Sequence, residues 1–220
     1  MNPCVVIPAF RTADRVGDVV RGALGHVSRA IVVDDGSGDG TSRAAAEAGA
    51  TVVGHGRNRG KGAAIQTGLA HAAALGHDVA VTMDSDGQHD PADLSALLAV
   101  PDPRALVLGV RDLGAAGAPR ANRISNGISN FFLSWFAGQR LPDTQCGLRR
   151  YPVNETLALG LRGTGYELEA EVILRAKRAG LPIVSVPIHV LYPPSRVTHF
   201  RIRRDVPRII VRVVRCMIES

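Results

Sequence analysis

The sequence is poor in aromatic residues and in cysteine, and it contains no long apolar run. Phe, Trp and Tyr make up 4% of the 220 residues, and the three cysteines lie far apart without a CxxC motif. Neither a disulfide framework nor a zinc site is expected, and a reducing cytosolic compartment is favoured. No apolar stretch approaches the roughly 20 residues of a membrane span. The opening residues show no basic leader or cleavage site, so we expect no secretory signal.

Positive charge is concentrated at one end of the chain. The net charge is +6, and residues 196–220 contain seven Arg against one Asp and one Glu, so that segment alone carries +5. A cationic terminal segment suits an anionic membrane surface at least as well as nucleic acid. The only feature in favour of a nucleic-acid partner is the high pI, because the tail lacks interleaved aromatic residues. No nucleic-acid partner is therefore expected.

The same tail has the spacing of an amphipathic helix. Apolar residues recur at helical intervals between positions 202 and 217, and the arginines fall largely on the other side. Asp205 is expected to cap this helix, with Pro207 in its first turn. Such a helix either lies in a membrane interface, as a peripheral attachment on the cytoplasmic face, or packs on the domain or on a second subunit of a homodimer. The sequence leaves both alternatives open.

Short Val-rich runs without polar alternation recur along the first half of the chain. They are CVVIP, AIVVDD, TVVGH, VAVTMD and ALVLGV, and they predict strands buried on both faces of a parallel sheet. Helix-length segments lie between them, with start signals at Asp14, Thr41 and Asp90 and glycine stops at Gly49 and Gly76. After residue 110 we expect a helix in NRISNGISNFFLSWFAG, a short strand in DTQCGLRRYP, a helix in YELEAEVILRAKRAG and a strand in LPIVSVPIHVLYPP. This alternation predicts an α/β doubly wound sheet.

Acidic residues follow two of these strands, in VVDDGSGDGT and VTMDSDGQHD. In doubly wound sheets, ligands bind beyond the carboxyl ends of the strands, so both turns should share one crevice. Asp84, Asp86 and Gln88 have the i, i+2, i+4 spacing that can converge three oxygens on one point. Such hard ligands favour Mg²⁺ or Mn²⁺. The alternative is a solvated acidic turn.

The glycine-rich loops do not match the nucleotide-binding loops that they superficially suggest. VVDDGSGDGT contains GxGxG rather than GxGxxG and follows the second strand, and its acids suit base N–H groups, ribose hydroxyls or a metal's waters rather than a pyrophosphate. GRNRGKGA is one residue short of a P-loop and lacks the Ser or Thr after the lysine. Ordinary turn chemistry remains the alternative for each loop.

Seven stretches occur in the order seen in family 2 glycosyltransferases of the GT-A fold. They are VVIPAF, VVDDGSGDGT, GRNRGKGAAIQTG, VTMDSDGQHDP, GVRD, DTQCGLRRY and YELEAEVILRAKRAG. Over about residues 3–190, the chain most resembles the dolichyl-phosphate mannosyltransferase-like (polyprenyl-phosphate glycosyltransferase) branch. The resemblance implies a GT-A, Rossmann-like, mostly parallel sheet flanked by helices. It also implies a nucleotide-sugar donor (GDP-mannose or a UDP-sugar), a divalent metal, inversion at the anomeric carbon and a lipid-phosphate acceptor.

On this resemblance, residues 1–195 form one domain, with a nucleotide-sugar half (1–110) and an acceptor half (111–195), followed by the basic tail (196–220). On the donor side it implies four kinds of contact. Pro8 and Phe10 would form the base wall, and Asp34 and Asp35 would contact the base and the ribose. Lys61 would contact the diphosphate, and Asp84, Asp86 and Gln88 would be the metal ligands. On the acceptor side it implies residues that hold the acceptor or line its site: Arg111, Arg120, Arg123, Ser125, Asn126, Asp143 and Gln145, with Glu169 and Glu171 on the next helix.

The acceptor chemistry is left with alternatives. A phosphate acceptor is already anionic and needs positioning by arginine forks, here Arg111, Arg120 and Arg123. A lipid or polyketide-like hydroxyl needs a carboxylate base, and the candidates are Asp143, Glu169 and Glu171. Glu171 is alternatively a surface partner of Arg175.

Other points also stay open. Arg11 and Thr12 stand where the family usually has Asn and Glu, which leaves GDP against UDP undecided. A nucleotide-sugar-binding protein or a nucleotidyltransferase is a further alternative, although PAFRTADR lacks the glycines of a nucleotidyltransferase loop. Histidines 26, 55, 71 and 77 are expected at the surface, and His89 is expected to be structural.

Overall fold

The computed structural model describes residues 1–112, 114, 120–189 and 202–218, and it describes no side chains at residues 120–125, 128, 202–206 and 217. The strands are β1 (Pro3–Ala9), β2 (Ala30–Asp34), β3 (Thr51–Gly54), β4 (Val79–Thr82), β5 (Leu106–Arg111), β6 (Arg149–Pro152) and β7 (Ile183–Ile188). The helices are α1 (Val16–Leu24), α2 (Thr41–Glu47), α3 (Lys61–Ala74), α4 (Asp93–Leu98), α5 (Arg120–Ala137), α6 (Val153–Ala158), α7 (Leu168–Arg178) and α8 (Ile202–Ile218).

A single seven-stranded sheet takes strands from both halves of the chain, in the order β3-β2-β1-β4-β6-β5-β7. Only β6 is antiparallel to its neighbours, β4 and β5. The predicted α/β architecture, a mostly parallel sheet flanked by helices, is therefore confirmed. The insertion of β6 between β4 and β5 brings the loop before it against the carboxyl end of β4.

The Val-rich strands are buried on both faces, as their composition predicts. Val6 and Val33 face one layer, formed by α3, α5 and α7, while Val5 and Val32 face the other, formed by α1, α2 and α4. This division follows the two-residue period of a strand. Burial of the sheet on both sides leaves its strand ends and their loops as the place where polar groups collect.

Several helix limits differ from the expectations. Asp14 does not cap α1 and pairs instead with the neighbouring Arg15, and no side chain caps that helix. Asp90 accepts the Ala92 N–H and so caps a turn that precedes α4, which starts only at Asp93. α6 was not predicted, because its six residues are too few to show helical periodicity. Thr41 and Gly49 do mark the start and end of α2, with Gly49 at a φ of 98°.

The C-terminal helix α8 packs on α7. Ile209 and Val213 lie against the core, and Cys216 is buried. The expected start of this helix was wrong: α8 begins at Ile202, before Asp205, and Pro207 lies inside it. None of the helices in the described ranges is both long and apolar enough to cross a bilayer.

Candidate active site

The carboxyl ends of β1, β2 and β4 place the acidic turns at one edge of the sheet. β1 lies between β2 and β4, with Ala9 beside Asp34 and Val6 beside Thr82. Asp34 and Asp35 therefore lie next to the end of β1, and Asp84 lies two residues beyond β4. The two acidic turns therefore lie at the same edge of the sheet, as their positions in the sequence predict, and the space between the loops at this edge is the candidate crevice.

Asp34 and Asp35 are buried and organise the loops around this crevice. Asp34 accepts the Ser37 N–H at 3.0 Å and the Ser42 hydroxyl. Asp35 accepts the backbone N–H groups of Arg59 and Gly60 at 2.8 and 2.7 Å, and His55 Nδ1 lies 2.6 Å from Asp35 Oδ1. Asp35 thus fastens the glycine-rich loop, residues 54–60, to the end of β2.

The prediction that histidines 26, 55, 71 and 77 lie at the surface was wrong for two of them. His55 is enclosed between Asp35 and Thr67, and His77 is buried with its ring 3.1 Å from the Asn2 carbonyl. His26 is exposed and His71 half-buried. A single histidine in a polar loop gives no sequence signal for burial, which here comes from the partner that the fold supplies.

The end of β1 lies at the same edge of the sheet as the acidic turns. Pro8 is buried and Phe10 half-buried. The Arg11 guanidinium lies over the Phe10 ring, 5.2 Å from its centroid. Arg11 has a φ of 54°, and its N–H donates to the Ser37 hydroxyl at 2.8 Å. Because non-glycine residues rarely adopt positive φ, this turn is held by the contacts around it.

Lys61 lies at the centre of a charged cluster. Its Nζ is 2.8 Å from both Asp84 Oδ1 and Glu169 Oε1, and it lies 5.7 Å from the centroid of the Tyr166 ring. Burial would lower the Lys61 pKa, but the two carboxylates outweigh it and hold the pKa well above its ordinary value. Burial would likewise raise the Asp84 pKa, but Lys61 and His89 hold it well below its ordinary value. Lysine and aspartate are therefore both charged at neutral pH.

Glycines at the start of α3 let the backbone of residues 163–165 approach closely. The Ala63 N–H donates to the Thr164 carbonyl at 3.0 Å, and Gln66 donates to the Gly163 carbonyl at 2.7 Å. A Cβ added at Gly62 would lie 2.7 Å from the Gly165 carbonyl oxygen, and one at Gly60 would overlap the Thr164 carbonyl. The absence of side chains at positions 60 and 62 is therefore a packing requirement.

Asp86 has the properties of a metal ligand. Its carboxylate accepts hydrogen bonds only from Gln88 within the described residues, at 3.0 Å from the N–H and 2.5 Å from Nε2. Burial and the nearby charge of Asp84 raise its pKa, and no cation of the described chain pairs with it. No group of three or more His, Cys, Asp or Glu side chains in the described chain is arranged to hold a metal by itself. Two carboxylates and the Gln88 amide fit Mg²⁺ or Mn²⁺, which usually takes its remaining ligands from water and substrate phosphates.

Arg111 and Asp143 form a second cluster beside the first. Arg111 Nε and Nη2 donate to Asp143 Oδ2 and Oδ1 at 2.7 and 3.1 Å, and Asn126 Nδ2 lies 3.2 Å from Oδ1. Burial would raise the Asp143 pKa, but the Arg111 fork holds it below its ordinary value. The Gln145 N–H also donates to Asp143. Asp143, Gln145, Arg111 and Asn126 are thus brought together as predicted neighbours.

The two clusters are in contact through the loop before β6. Gly147 has no room for a side chain because Asp84 occupies the space of its Cβ, and the Thr82 hydroxyl donates to the Gly147 carbonyl at 2.7 Å. The side chains of Arg120, Arg123 and Ser125 lie outside the described residues, as does the segment 190–201. The acidic turn after β4 and the loop that carries Asp143 are therefore direct neighbours.

Arg149 has a role that the sequence reasoning missed. It is fully buried in β6, where its guanidinium donates to the carbonyls of Cys146, Glu169 and Thr144 at 2.8, 2.7 and 2.7 Å. Arg149 thus ties the loop before β6 to the first turn of α7, which carries Glu169. The one available signal was an arginine in a strand otherwise suited to burial.

Glu171 lies in a network away from the crevice edge. It is fully buried, accepts the Gly163 N–H at 2.6 Å, and pairs with Arg175 at 2.9 Å and with Arg212 of α8. Burial would raise its pKa, but these donors hold it below the ordinary value. The pairing with Arg175 exists, although within a buried network rather than on the surface.

The sequence profile of the family described as Glycosyl transferase family 2 matches residues 4–150. The chain belongs to that family. It is a glycosyltransferase, and the matched residues contain both acidic turns, Lys61 and the Arg111–Asp143 pair. The family assignment therefore includes the whole charged part of the crevice except Glu169.

Relatives of this family 2 glycosyltransferase carry specific names. It is 30% identical over 213 residues to the UDP-N-acetylglucosamine–dolichyl-phosphate N-acetylglucosaminyltransferase of Methanococcus voltae, covering 86% of this chain and 85% of the relative. It is 32% identical over 211 residues to the undecaprenyl-phosphate mannosyltransferase of Micrococcus luteus, covering 86% and 83%. It is 30% identical over 200 residues to the polyprenol monophosphomannose synthase of Mycolicibacterium smegmatis, covering 84% and 75%.

Solved structures share the fold. Glucosyl-3-phosphoglycerate synthase from Mycobacterium tuberculosis, in complex with Mn²⁺, UDP and glucosyl-3-phosphoglycerate, has a TM-score of 0.74 and 22% identity over 99% of this chain and 79% of that one. Mannosyl-3-phosphoglycerate synthase from Rubrobacter xylanophilus has a TM-score of 0.72 and 23% identity over 100% and 73%. At these identities the likeness establishes the fold alone.

Proposed function

We propose that this family 2 glycosyltransferase moves a hexose from a nucleoside diphosphate sugar, GDP-mannose or a UDP-sugar, to a polyprenyl phosphate, with inversion and with Mg²⁺ or Mn²⁺. Three relatives named for dolichyl, undecaprenyl or polyprenol phosphate chemistry support this acceptor class. One observation carries the choice of a phosphate over a hydroxyl. All three carboxylates considered as a general base are already paired with cations: Asp143 with Arg111, Glu169 with Lys61, and Glu171 with Arg175 and Arg212.

A phosphate acceptor removes the need for such a base. A hydroxyl must lose its proton during attack, and a carboxylate whose oxygens are already engaged by a cation is poorly placed to accept it. A phosphate monoester carries its own negative charge at neutral pH and requires positioning instead. The pairing of these carboxylates therefore supports a nucleophile that arrives already charged.

The donor side divides its work among four groups. Phe10 and Pro8 provide the wall for the base, and Asp34 and Asp35 provide acceptors for base and ribose donors. Lys61 lies at the start of α3, where its charge offsets that of a diphosphate. Asp84, Asp86 and Gln88 would hold the metal, which when bound stabilises charge on the departing nucleoside diphosphate. A half-buried Asp86 without a cation partner among the described residues is the feature that supports this ligand assignment.

On the acceptor side, Asp143 fixes the direction of Arg111. Nε and Nη2 are used by Asp143, so Nη1 remains for a phosphate oxygen; it has no hydrogen bond among the described residues. The paired carboxylate offsets the Arg111 charge, so net positive charge must come from other cations, and the family resemblance points to Arg120 and Arg123 with Ser125. Asn126 of α5 donates to Asp143 and helps to hold it in place. The acceptor's lipid places the reaction at a membrane surface, to which the cationic tail attaches the enzyme peripherally.

The test is a matched acceptor panel with purified protein. GDP-mannose, UDP-glucose and UDP-N-acetylglucosamine would each be offered with undecaprenyl phosphate, with the corresponding polyprenol, or with 3-phosphoglycerate. We expect transfer from one donor, with Mn²⁺ or Mg²⁺, to the polyprenyl phosphate only, and loss of transfer with chelator. Glycosylation of the polyprenol, or of 3-phosphoglycerate with none of the lipid phosphate, would contradict the proposal.

A further inference from the structure

Helix α5 exposes three large aromatic side chains. Phe131, Phe132 and Trp135 are 69%, 52% and 70% exposed. The other aromatic side chains among the described residues are half-buried or buried. In a chain with only 4% aromatic residues, this concentration on one helix is a distinct apolar surface.

The exposed aromatics lie on one side of α5. At about 100° per residue, positions 131, 132 and 135 span about 100° of the helix circumference. The opposite side packs into the protein through Leu133 and Ala137. The aromatic side chains are therefore turned outward by the register of the helix, and no element in the described chain covers them.

The side of α5 that packs into the protein also contacts residues 142–144, in the loop before β6. Asn126 contacts Asp143, Asn130 donates to the Pro142 carbonyl and accepts the Thr144 N–H, and Ser129 lies 2.9 Å from the Thr144 hydroxyl. Phe131 is five residues from Asn126, which is about 7.5 Å along the helix axis. Whatever α5 docks on is therefore brought close to the Arg111–Asp143 cluster.

The charges around this surface favour an anionic partner, and its exposed aromatic rings favour a lipid bilayer as that partner. Residues 113–142 contain three Arg and no Asp or Glu. Trp is enriched at membrane–water interfaces, where an apolar ring body meets a polar edge. α8, which packs on α7 as α5 does, also exposes Ile210, Val211, Val214 and Ile218. Two neighbours of α7 thus both carry exposed apolar side chains.

We propose that Phe131, Phe132 and Trp135 form a docking face that inserts into the interface of an anionic membrane. This docking rests on the proposed function, because a lipid-phosphate acceptor is the reason for the enzyme to bind a membrane. Docking through α5 would bring the Arg111–Asp143 cluster to the membrane boundary, where the phosphate group of a lipid lies. The tail supplies long-range attraction, and the α5 face supplies insertion and orientation.

Trp135 is the only tryptophan of the chain and reports on the face directly. Its emission would be recorded with phosphatidylcholine vesicles, with and without phosphatidylglycerol, and with brominated acyl chains as a quencher. We expect a shift to shorter wavelength and quenching with the anionic vesicles. Co-sedimentation with these vesicles without any change in Trp135 emission would overturn the proposal, because binding would then use another surface.

A matched pair of variants tests the contribution to binding. In Phe131→Ser/Phe132→Ser the apolar face is removed and Trp135 is kept, and we expect vesicle affinity to fall by roughly tenfold or more. In the control, Leu75→Ser/Leu157→Ser, two exposed apolar residues elsewhere are replaced, and affinity should be unchanged. Equal loss in both variants, or loss in neither, would contradict the assignment. A wild-type dimer that the Phe131→Ser/Phe132→Ser variant converts to a monomer, without lipid binding, would assign the face to a second copy.

Transfer assays separate this proposal from the proposed function. The Phe131→Ser/Phe132→Ser variant should keep near wild-type transfer to a short, water-soluble prenyl phosphate and lose transfer to undecaprenyl phosphate in vesicles. Membrane insertion of Trp135 without transfer to any prenyl phosphate would leave the docking face standing and refute the proposed function. Loss of transfer to the soluble acceptor as well would place these phenylalanines in the acceptor site and refute docking.

Discussion

Arg111 and Asp143, 32 residues apart, meet in a two-point ion pair between the end of β5 and the loop before β6. Both oxygens of Asp143 are engaged, and its side chain is 1% exposed, whereas that of Arg111 is 20% exposed. The aspartate therefore acts as a fixed anchor, and the arginine is the partner that reaches solvent. Such a fork fixes the plane of the guanidinium, which a lysine cannot reproduce.

Arg111→Ala should weaken acceptor use while leaving nucleotide affinity nearly unchanged. The acceptor's KM should rise or kcat should fall, since the oriented guanidinium is lost. Stability should fall by about 3 kcal/mol, because a buried carboxylate loses its partner. Transfer kinetics, calorimetric nucleotide binding and urea unfolding would be measured, with Asp143→Asn/Arg111→Ala as the control that removes the lone charge. Collapse of nucleotide affinity in that double variant would reassign Arg111 to the donor.

The depressed pKa of Asp143 predicts a stability change in acid. A carboxylate with a lower pKa in the folded than in the unfolded state stabilises the fold above its unfolded pKa of about 4, and that contribution is lost as pH falls. Wild-type free energy of unfolding should therefore drop more between about pH 5 and pH 3 than that of Asp143→Asn. Parallel pH profiles for the two proteins in urea unfolding would show that the ion pair does not carry this dependence.

Asp86→Ala should abolish transfer and leave the fold intact. The carboxylate pairs with no cation of the described chain, so its removal relieves repulsion with Asp84 and gives up only the two hydrogen bonds from the neighbouring Gln88. Melting temperature in the absence of metal should be equal to or above that of wild type. The stabilisation of wild type by nucleoside diphosphate with Mn²⁺ should disappear in the variant. Full activity of Asp86→Ala in excess chelator would remove the metal hypothesis.

Glu171→Ala should destabilise the protein by about 3 kcal/mol, because buried Arg212 and two backbone N–H groups lose their partner. Arg215 lies at an exposed position of α8, the helix that also contains Arg212. Arg215→Gln should therefore change the free energy of unfolding by less than about 0.5 kcal/mol. Donor hydrolysis at a temperature where both variants are folded is the second measurement. Glu171→Gln with wild-type stability but no transfer would restore a catalytic role to this carboxylate.

The cationic tail should give salt-sensitive attachment to anionic membranes. Each basic residue near the surface contributes on the order of 1 kcal/mol, and screening beyond roughly 10 Å at 0.1 M salt weakens it. Because α8 packs on α7, truncation of the tail would disturb the body, and Arg208→Gln/Arg215→Gln is the cleaner variant. We expect weaker co-sedimentation with anionic vesicles for this variant and at high salt. Vesicle binding that is unaffected by the double substitution and by high salt would show that α8 serves only to pack on the protein.

The sequence predicted the sheet and the position of the crevice because both depend on local pattern. Val-rich runs predicted the strands, and acids after β2 and β4 predicted one shared edge. What it missed depends on pairs distant in sequence. Lys61 meets Glu169 across 108 residues, Arg149 caps carbonyls from two separate segments, and His55 is buried by the partner that β2 provides. No periodicity or motif encodes such meetings.

The tight seam between Gly60–Gly62 and residues 163–165 has a consequence for protein engineering. Backbone packed this closely leaves no room for a Cβ at positions 60 and 62. A chimera that joins the first half of one relative to the second half of another should therefore fold only when it keeps glycine at both positions. Recombination breakpoints are better placed outside residues 60–62 and 163–165, so that this contact stays unaltered.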